Sequence, residues 1–340
     1  MSHAEGKSKL FEHEDVRMAR GQRSGLQIVV ARHSTILGPA LGGCRVWGYE
    51  SDAAALEDAL RLSAGMTAKN ALAGLPLGGG KAVIRLEPRQ VLDQEQRIAA
   101  FSDLGDLVES FGGSYITAGD VGTTPYDMAV VATRTRHVVG LREEGGGLGD
   151  PGAYTARGVL SAIDATLQRL GLPGRSGRRF TVVGLGQVGG RIARELSSSG
   201  GKVTVGDIAP AKRTLADEIG ANWADPAIAH RIPTDIFVPA GVGGMLTDTV
   251  ITELDARAVV GPANNQLAQP DLDRLLANRG ILYAPDYLVN AGGVIYLGAP
   301  DRGTIETRID SIGDTVAEIF DRAVTAADQI VEERINASVA

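Results

Sequence analysis

Two lysines, Lys69 and Lys81, stand 12 residues apart in the segment MTAKNALAGLPLGGGKAVI, each among small or apolar neighbours. Lysine is normally exposed to solvent. One that follows Gly78, Gly79 and Gly80 and leads into Ala82, Val83 and Ile84 is oddly placed for a surface charge. Drawn into an apolar cleft, an ammonium gives up its proton more readily, because desolvation disfavours the charged form. The amine then becomes a base usable near neutral pH. The second lysine could keep its charge and hold a substrate carboxylate. Spacing alone is equally consistent with two surface lysines. Asp120 follows YITAG at the end of a strand-like run. A carboxylate beside two lysines could shuttle protons; the alternative is an N-cap for the segment that begins at Val121.

A second constellation lies further along. Gly184-Leu185-Gly186-Gln187-Val188-Gly189 fits G-x-G-x-x-G, follows the apolar run from Phe180 to Val183 and opens a helix. Gly184 suits the tight turn, Gly186 the close approach of a pyrophosphate, and Gly189 the packing of helix on strand. The helix start at Gln187 and Val188 then offers unpaired N–H groups to phosphate. Asp207 ends the next strand, 18 residues after Gly189. An acidic side chain there accepts hydrogen bonds from the adenosine ribose and repels a 2′-phosphate, which favours NAD over NADP. The alternative for Asp207 is a turn or helix-capping aspartate.

These residues must be positioned by a folded chain of ordinary composition. At about 150 residues per domain, 340 residues suggest two domains. Apolar residues make up 44% and charged residues 22%, which excludes a disordered tail protein. A formal charge of −7 offers no broad cationic surface, so no nucleic-acid partner is expected. Cys44 is the only cysteine, so no internal disulfide can form. No apolar stretch is long enough to span a membrane, and the N-terminus lacks a signal-peptide core. The expectation is a cytoplasmic protein with no membrane partner. His13, His33, His137 and His230 sit singly without metal-ligand spacing, and no metal is expected. Cys44 reads as a small buried residue. The 45 glycines cluster at 42–43, 78–80, 145–149, 184–190, 241–244 and 292–293, where backbone must turn tightly or approach a ligand.

The coarse pattern is strand 25–31, helix 51–74 with Ser51 as N-cap, strand 81–86, helix 91–111, strand 114–117 and a helix from Asp127. The loop-like stretch 143–151 marks a boundary. Beyond it come helix 155–170, strand 179–183, helix 188–198, strand 202–205, helix 210–219 and strands 235–238, 257–260 and 280–283. Such alternation predicts a parallel sheet with crossover helices. A long helical tail over 304–333 carries an apolar stripe through Ile305, Ile309, Ile312, Val316, Ile319 and Phe320.

At this point the sequence resembles a known family along nearly its whole length. GPALGGCRVW (38–47), ALEDALRLSAGMTAKNALAGLPLGGGKAVI (55–84), YITAGDVGTTPYDM (115–128), GGLGDPGAYTARGV (146–159), GLGQVGG (184–190), GPANNQLA (261–268) and ILYAPDYLVNAGGVI (281–295) are similar, in order and spacing, to the leucine, valine and phenylalanine dehydrogenases of the glutamate dehydrogenase-like superfamily. The resemblance implies an α/β protein: an N-terminal α/β substrate and oligomerisation domain (1–142), a C-terminal Rossmann-type NAD-binding domain (143–306) with the active-site cleft between the two, and a helical segment (307–340) returning toward the first. It implies that Lys69 binds the substrate carboxylate, that Lys81 assists attack of water on an imino acid, and that Asp120 serves the amino nitrogen. Asn290 would lie near substrate and nicotinamide, Gly43 would approach the substrate, and Thr155, Ala240, Asn264 and Asn265 would lie near the nicotinamide ring. For Asn264 and Asn265, turn chemistry is the alternative.

The implied activity is NAD-dependent oxidative deamination of an apolar L-amino acid to the 2-oxo acid with release of ammonia, and the reverse, by a homo-oligomer. Leu41 stands where glutamate-specific relatives carry a lysine, so a buried γ-carboxylate would lack its partner. Leu41 and Ala118 resemble the leucine/valine pattern, and Met66, Ile309 and Ile312 align with pocket positions. For Met66, Ile309 and Ile312 plain core packing is the alternative. The alternatives in function are the same chemistry on an aromatic amino acid and a non-catalytic NAD-binding regulator. Gly119 and Gly152-Ala153 depart from the family pattern of Glu and Ser-Pro, and two shortenings fall after Asn290.

Overall fold

A computed structural model describes residues 13–141, 150–269, 271–299, 301–322 and 326–338. Most of the expected boundary stretch 143–151 lies outside the described residues. The described chain divides into two units, one running to Asp150 and resuming at Ile330, the other Pro151–Gln329.

The first unit contains β1 (Asp15–Arg20), β2 (Gln27–Ser34), β3 (Ala40–Gly48), α1 (Asp52–Leu72), β4 (Gly78–Leu86), α2 (Gln94–Glu109), β5 (Tyr115–Gly119) and α3 (Pro125–Ala132). Its five-stranded sheet has the order β1-β2-β4-β3-β5. β2 runs antiparallel to β1 and β4, whereas β3 runs parallel to β4 and β5. Cys44, Ala82 and Ile84 turn to one face, where they meet Phe101, Leu104 and Val108 of α2 and Met128 and Val131 of α3. Val29, Ala31 and Val83 turn to the other, against Ala55 and Ala59 of α1.

The residues that α1 buries explain how close it comes. Ala55, Ala59, Ser63, Thr67 and Ala71 recur every fourth position, so one face of the helix is a stripe of small side chains. Ser51 caps its start, with Oγ accepting from the Ala54 N–H at 3.1 Å.

The glycines at 42–43 and 78–80 were expected in turns or beside a ligand; they lie instead inside strands β3 and β4. A Cβ at Gly79 would sit 2.1 Å from the Thr67 backbone nitrogen, one at Gly78 would sit 1.8 Å from the Ser34 carbonyl oxygen, and one at Gly80 would sit 2.7 Å from the Tyr115 ring. The run is a packing device facing a strand, a helix and an aromatic ring in turn. Gly42 is closed in the same way, its Cβ position lying 1.6 Å from the Gly80 carbonyl oxygen. Tyr115, fully buried, donates its hydroxyl to the Gly42 carbonyl at 2.7 Å.

The second unit contains α4 (Gly152–Arg169), β6 (Arg179–Val183), α5 (Gln187–Ser198), β7 (Lys202–Gly206), α6 (Arg213–Ile219), β8 (Asn222–Trp223), β9 (Thr234–Pro239), α7 (Asp248–Glu253), β10 (Ala256–Val259), α8 (Leu272–Asn278), β11 (Leu282–Tyr283), α9 (Asp286–Val289), α10 (Gly292–Gly298) and α11 (Ile305–Arg322). Its six strands are all parallel, in the order β11-β10-β9-β6-β7-β8. The order reverses between β6 and β9, and ligands of such sheets bind outside the carboxyl ends of the strands at that point.

Of the long tail helix expected over 304–333, the described residues show α11 and α12 (Ala326–Ala337), and 323–325 between them lie outside the described residues. Ile305, Ile309, Ile312, Val316 and Ile319 bury the stripe of α11, which packs on α4. The end of α12 belongs to the first unit, where the Arg334 guanidinium donates to the carbonyls of Ala71 and Leu72 at the end of α1.

Candidate active site

Alternation along β3, β4 and β5 sorts the expected residues by face. Leu41 pairs with Gly79, and Gly43 with Ala118. Counting by twos from these, Leu41, Gly43, Arg45, Gly79, Lys81, Ala118 and Asp120 share the face that α1 covers. Lys81 is 5% exposed, and its Nζ lies 2.8 Å from Asp120 Oδ2. Gly43 has a structural reason to be glycine: a Cβ there would sit 2.6 Å from the Gly119 carbonyl and 3.0 Å from the Asp120 Cβ. Lys69 is half-buried in the last turn of α1, two residues beyond the Thr67 that meets Gly79. Leu41 and Ala118 are buried, and Met66 is half-buried on α1. The structure thus gathers Lys81, Asp120, Leu41 and Ala118 on one sheet face of the first unit, and places Lys69 and Met66 on α1, the helix that covers it.

The alternative reading of Asp120 as an N-cap fails, because Thr124 caps α3 with its own side chain. The Asp120 backbone is fixed in a turn instead, its N–H donating to Thr123 Oγ1 at 2.8 Å and its carbonyl accepting from the Thr123 N–H at 3.1 Å. Burial pushes the Asp120 carboxyl up, but the Lys81 ammonium and the Arg45 guanidinium outweigh it and hold the group below the usual carboxylate range.

Sequence reasoning missed Arg45. Its Nε lies 3.0 Å from Asp120 Oδ2 and its Nη1 3.0 Å from Asp58 Oδ2. Tyr49 donates its hydroxyl to Asp58 at 2.6 Å, and Arg61 reaches the other Asp58 oxygen at 2.7 Å. The signal was present: Arg45 lies two residues after Gly43 and four after Leu41, in phase with both.

In the second unit, Gly184 adopts φ +103°, and a Cβ there would lie 2.5 Å from the Gly241 nitrogen. Gly189 fits only as glycine, its Cβ position being 2.0 Å from the Gly184 carbonyl and 2.8 Å from the Ala240 Cβ. Gly186 faces open space, with nothing within 4 Å of its Cβ position. It is the N-cap of α5 and supplies no side-chain cap, so the first N–H groups, those of Gln187, Val188 and Gly189, are left for another acceptor. Asp207 Oδ2 accepts from the Leu185 N–H at 2.6 Å, and Oδ1 accepts from the Ala209 N–H at 2.8 Å. The turn role is therefore real, and the same contact ties the aspartate to the glycine loop.

Asn290 donates from Nδ2 to Asn264 Oδ1 at 2.8 Å and to the Pro262 carbonyl at 3.2 Å. Its own Oδ1 is buried with no hydrogen-bond partner. Such an acceptor costs free energy until a donor reaches it. Together with the uncapped helix and the space at Gly186, this fits a nicotinamide dinucleotide. Asn265 has φ +51°, as turn chemistry foresaw, and Asn264 serves Asn290. Thr155 sits in the first turn of α4, with Oγ1 donating to the Pro151 carbonyl at 3.2 Å. Ile309 and Ile312 are 0% and 1% exposed, and Ile312 Cδ1 lies 2.7 Å from the Cβ position of Gly158. Both lie on the buried stripe of α11, the helix that packs on α4.

His13 and His33 do not sit singly. Their rings meet edge-on at 4.8 Å, His13 Nε2 reaching Ser63 Oγ at 2.8 Å and His33 Nδ1 reaching Thr67 Oγ1 at 2.8 Å. The antiparallel pairing of β1 with β2 made them neighbours. Cys44 is buried on the opposite face of β3 from Lys81, and burial pushes its thiol up, away from reactivity. No helix among the described residues is long and apolar enough to cross a membrane.

Residues 7–137 match the family model described as Glu/Leu/Phe/Val dehydrogenase, dimerisation domain, and residues 205–299 match Glutamate/Leucine/Phenylalanine/Valine dehydrogenase. The chain is 39% identical to the leucine dehydrogenase of Geobacillus stearothermophilus, covering 96% of this chain and 91% of that one. It is 42% identical to the valine dehydrogenase of Streptomyces albus (95% and 92% covered) and 39% identical to the phenylalanine dehydrogenase of Caldalkalibacillus thermarum (96% and 92%). Among solved structures it is similar to the L-tryptophan dehydrogenase of Nostoc punctiforme, with TM-score 0.84, 35% identity and 96% and 97% of the two chains covered.

The chain belongs to the Glu/Leu/Phe/Val dehydrogenase family. It is an amino acid dehydrogenase that uses a nicotinamide dinucleotide. In this dehydrogenase the first matched segment carries the lysine–aspartate site. The Asp207 carboxylate, Ala240, Asn264 and Asn290 fall within the second or just at its start.

Proposed function

We propose that the protein catalyses NAD-dependent oxidative deamination of an apolar L-amino acid of the leucine, valine or isoleucine type, and the reverse reductive amination. The observation that carries this reading is the Lys81–Asp120 pair at 2.8 Å on the same sheet face as the uncharged, buried Leu41 and Ala118. A glutamate side chain would bring a second carboxylate to residues without a cation of their own, a cost its apolar rivals avoid. Relatives at near-equal identity act, by name, on aliphatic and aromatic amino acids, so the aromatic reading stays as the competitor.

The proposed roles follow from the chemistry. Lys69 holds the substrate α-carboxylate. Asp120 takes a proton from the substrate amino group, which must be neutral before an imine can form. When bound, the nicotinamide accepts the hydride that leaves the substrate Cα. Lys81, in its amine form at this step, draws a proton from the water that attacks the iminium carbon. Its Nζ and Asp120 Oδ2 stand at a distance over which a proton passes directly. Asp120 gives its proton to the nitrogen of the carbinolamine and then takes the hydroxyl proton as the carbonyl forms and ammonia leaves. Asp207 favours NAD, because a 2′-phosphate would meet its negative charge. Gln187 and Val188 offer backbone N–H groups to the pyrophosphate. The match to a dimerisation domain supports a homo-oligomer.

Initial rates with each L-amino acid, NAD or NADP, test the reading. Leucine, valine and isoleucine should lead, with phenylalanine slower and glutamate near background; each methyl changes discrimination by about 1–3 kcal/mol, so the aliphatic substrates overlap. A phenylalanine-over-leucine ratio of kcat/KM well above one would overturn the aliphatic assignment. Leu41→Gly with Ala118→Gly should raise that ratio if the two side chains line the pocket.

A further inference from the structure

The site is backed by a chain of charges of alternating sign: Lys81, Asp120, Arg45, Asp58, Arg61. Each neighbour in it is within 2.7–3.0 Å of the next. It crosses from β4 to the turn after β5, back to β3 and on to α1. The Arg45, Asp58 and Asp120 side chains are 17%, 15% and 19% exposed, so solvent screens the chain only in part.

We propose that Arg45 is a positioning residue for deamination, one fork of its guanidinium fixing the Asp120 carboxylate while the other is anchored by Asp58. This rests on the reading in which Lys81 and Asp120 do the proton transfers. Three observations carry it. First, Arg45 and Lys81 make their closest contacts to the same Asp120 oxygen, Oδ2, at 3.0 and 2.8 Å. That leaves Oδ1 as the oxygen to meet an incoming amino group. Second, a guanidinium donates in a rigid planar fork, so a bond at each end fixes the orientation of the plane between them. Asp58 is itself held by the Tyr49 hydroxyl and by Arg61. Third, the Asp120 backbone is already pinned by Thr123, so Arg45 and Lys81 fix the one part that remains free to turn, the carboxylate.

An arginine that merely ties β3 to α1 would need Asp58 alone. The contact to Asp120 is the extra feature, and it has an electrostatic consequence of definite sign. The charged and titratable groups around Asp120 are Lys81 on β4, Arg45 and the buried Cys44 on β3, Tyr115 on β5, Asp127 on α3, paired with Arg97, and Asp58 and Arg61 on α1. Removing the Arg45 charge takes away one of the two cations in contact with Asp120. Its carboxylate then protonates at higher pH. Neutralising Asp58 removes a negative charge behind Arg45 and shifts Asp120 the other way.

The test is the pH profile of kcat/KM for the best amino acid, with NAD saturating, in the full-length protein. Arg45→Met should lower kcat by about 30-fold or more, within the range for a general acid–base group that has lost its alignment, and move the acid limb to higher pH. Arg45→Lys should recover part of kcat and most of the acid limb, since it restores charge without the fork. Asp58→Asn, which keeps a hydrogen-bond acceptor for Tyr49, should move the acid limb slightly to lower pH. Opposite shifts from the two substitutions are not produced by loosened packing. If Arg45→Met does not fold, Arg45→Lys and Asp58→Asn still decide the matter by the direction of their limbs. An acid limb unmoved in all folded variants, with only the unfolding temperature lowered, overturns the proposal. Lys81→Ala is the control for the underlying reading: turnover by that variant defeats the reading itself, whereas an inactive Lys81→Ala beside an unshifted Arg45 series defeats only the role given to Arg45.

Discussion

The glycines beneath Lys81 and those of the nucleotide loop look alike in sequence and do opposite things. At Gly42, Gly78 and Gly79 a Cβ would strike backbone atoms at 1.6, 1.8 and 2.1 Å, so these glycines exist for the protein's own contacts. At Gly186 nothing lies within 4 Å, so that glycine keeps space for something else. Gly184 is closed by Ala240 and Gly241 after β9, and Gly189 by Gly184 and Ala240. A glycine cluster thus marks close approach without saying of what. In the first unit, at Gly79, it lets α1 press its small-residue stripe onto β4, the strand that carries Lys81. In the second it bares the start of α5.

The sharpest break in this comparison is Lys81→Ala. It should reduce kcat by about 10³-fold, the scale of a lost acid–base group. NAD binding, measured by fluorescence titration, should stay within about twofold, since a 1.4 kcal/mol change would be needed for tenfold. Weakened NAD binding in a folded Lys81→Ala protein would mean that the two regions are not separable in this way.

Gly79→Ala comes next. The added methyl must displace the α1 backbone at Thr67 rather than a mobile side chain, and a cost of about 3 kcal/mol or more is expected. Denaturant unfolding gives the answer: an unchanged midpoint would show that α1 can withdraw freely.

Gly186→Ala should do the reverse. Its stability should stay within about 1 kcal/mol of the parent, because the space is open, apart from the small preference for glycine over alanine at an N-cap. NAD affinity should fall about tenfold, a loss of about 1.4 kcal/mol, while amino acid KM at saturating NAD holds. A stable variant with full NAD affinity would place the pyrophosphate elsewhere.

Asp207→Ser is expected to have the smallest effect. Removing the charge should raise the NADP-over-NAD ratio of kcat/KM several-fold, on the order of 1 kcal/mol. The hydroxyl of serine is too short to keep both backbone contacts to Leu185 and Ala209. Some loss of stability should therefore accompany the change in preference, and a wild-type preference for NADP would show the carboxylate turned from the ribose.

Local chemistry was enough to foretell α4, α5, α6 and the main strands of the second unit, but not β8, α7, α8, α9 or α10. β6 was legible because RFTVV is a short apolar run that ends in a glycine turn, and α5 because Ile192, Ala193 and Leu196 follow at helical spacing. Ser51 as a cap and Gly74 as a stop were readable for α1, with Gly74 at φ +63°. β3 was hidden, because two glycines in the middle of PALGGCRVWG weigh against a strand by local preference. Only the neighbouring β4 and β5, which come too close for a side chain, account for them.

The residue string alone supplies the set of parts: the lysines, the aspartate, the glycine loop with Asp207, and the resemblance that ranks them. Those are matters of residue type and short spacing, which local rules read well. Which parts touch is settled by the folded chain. Lys81 and Asp120 are far apart in sequence and meet because β4 and β5 flank β3 in one sheet. Arg45 joins them because the alternation of β3 turns it to their face, and Asp58 reaches it from α1. Ile309 and Ile312, which alignment offered to the pocket, lie on the buried stripe of α11, the helix that packs on α4. Contacts between distant segments depend on register and strand order, and these are settled by the balance of many packing energies that no short stretch of sequence contains.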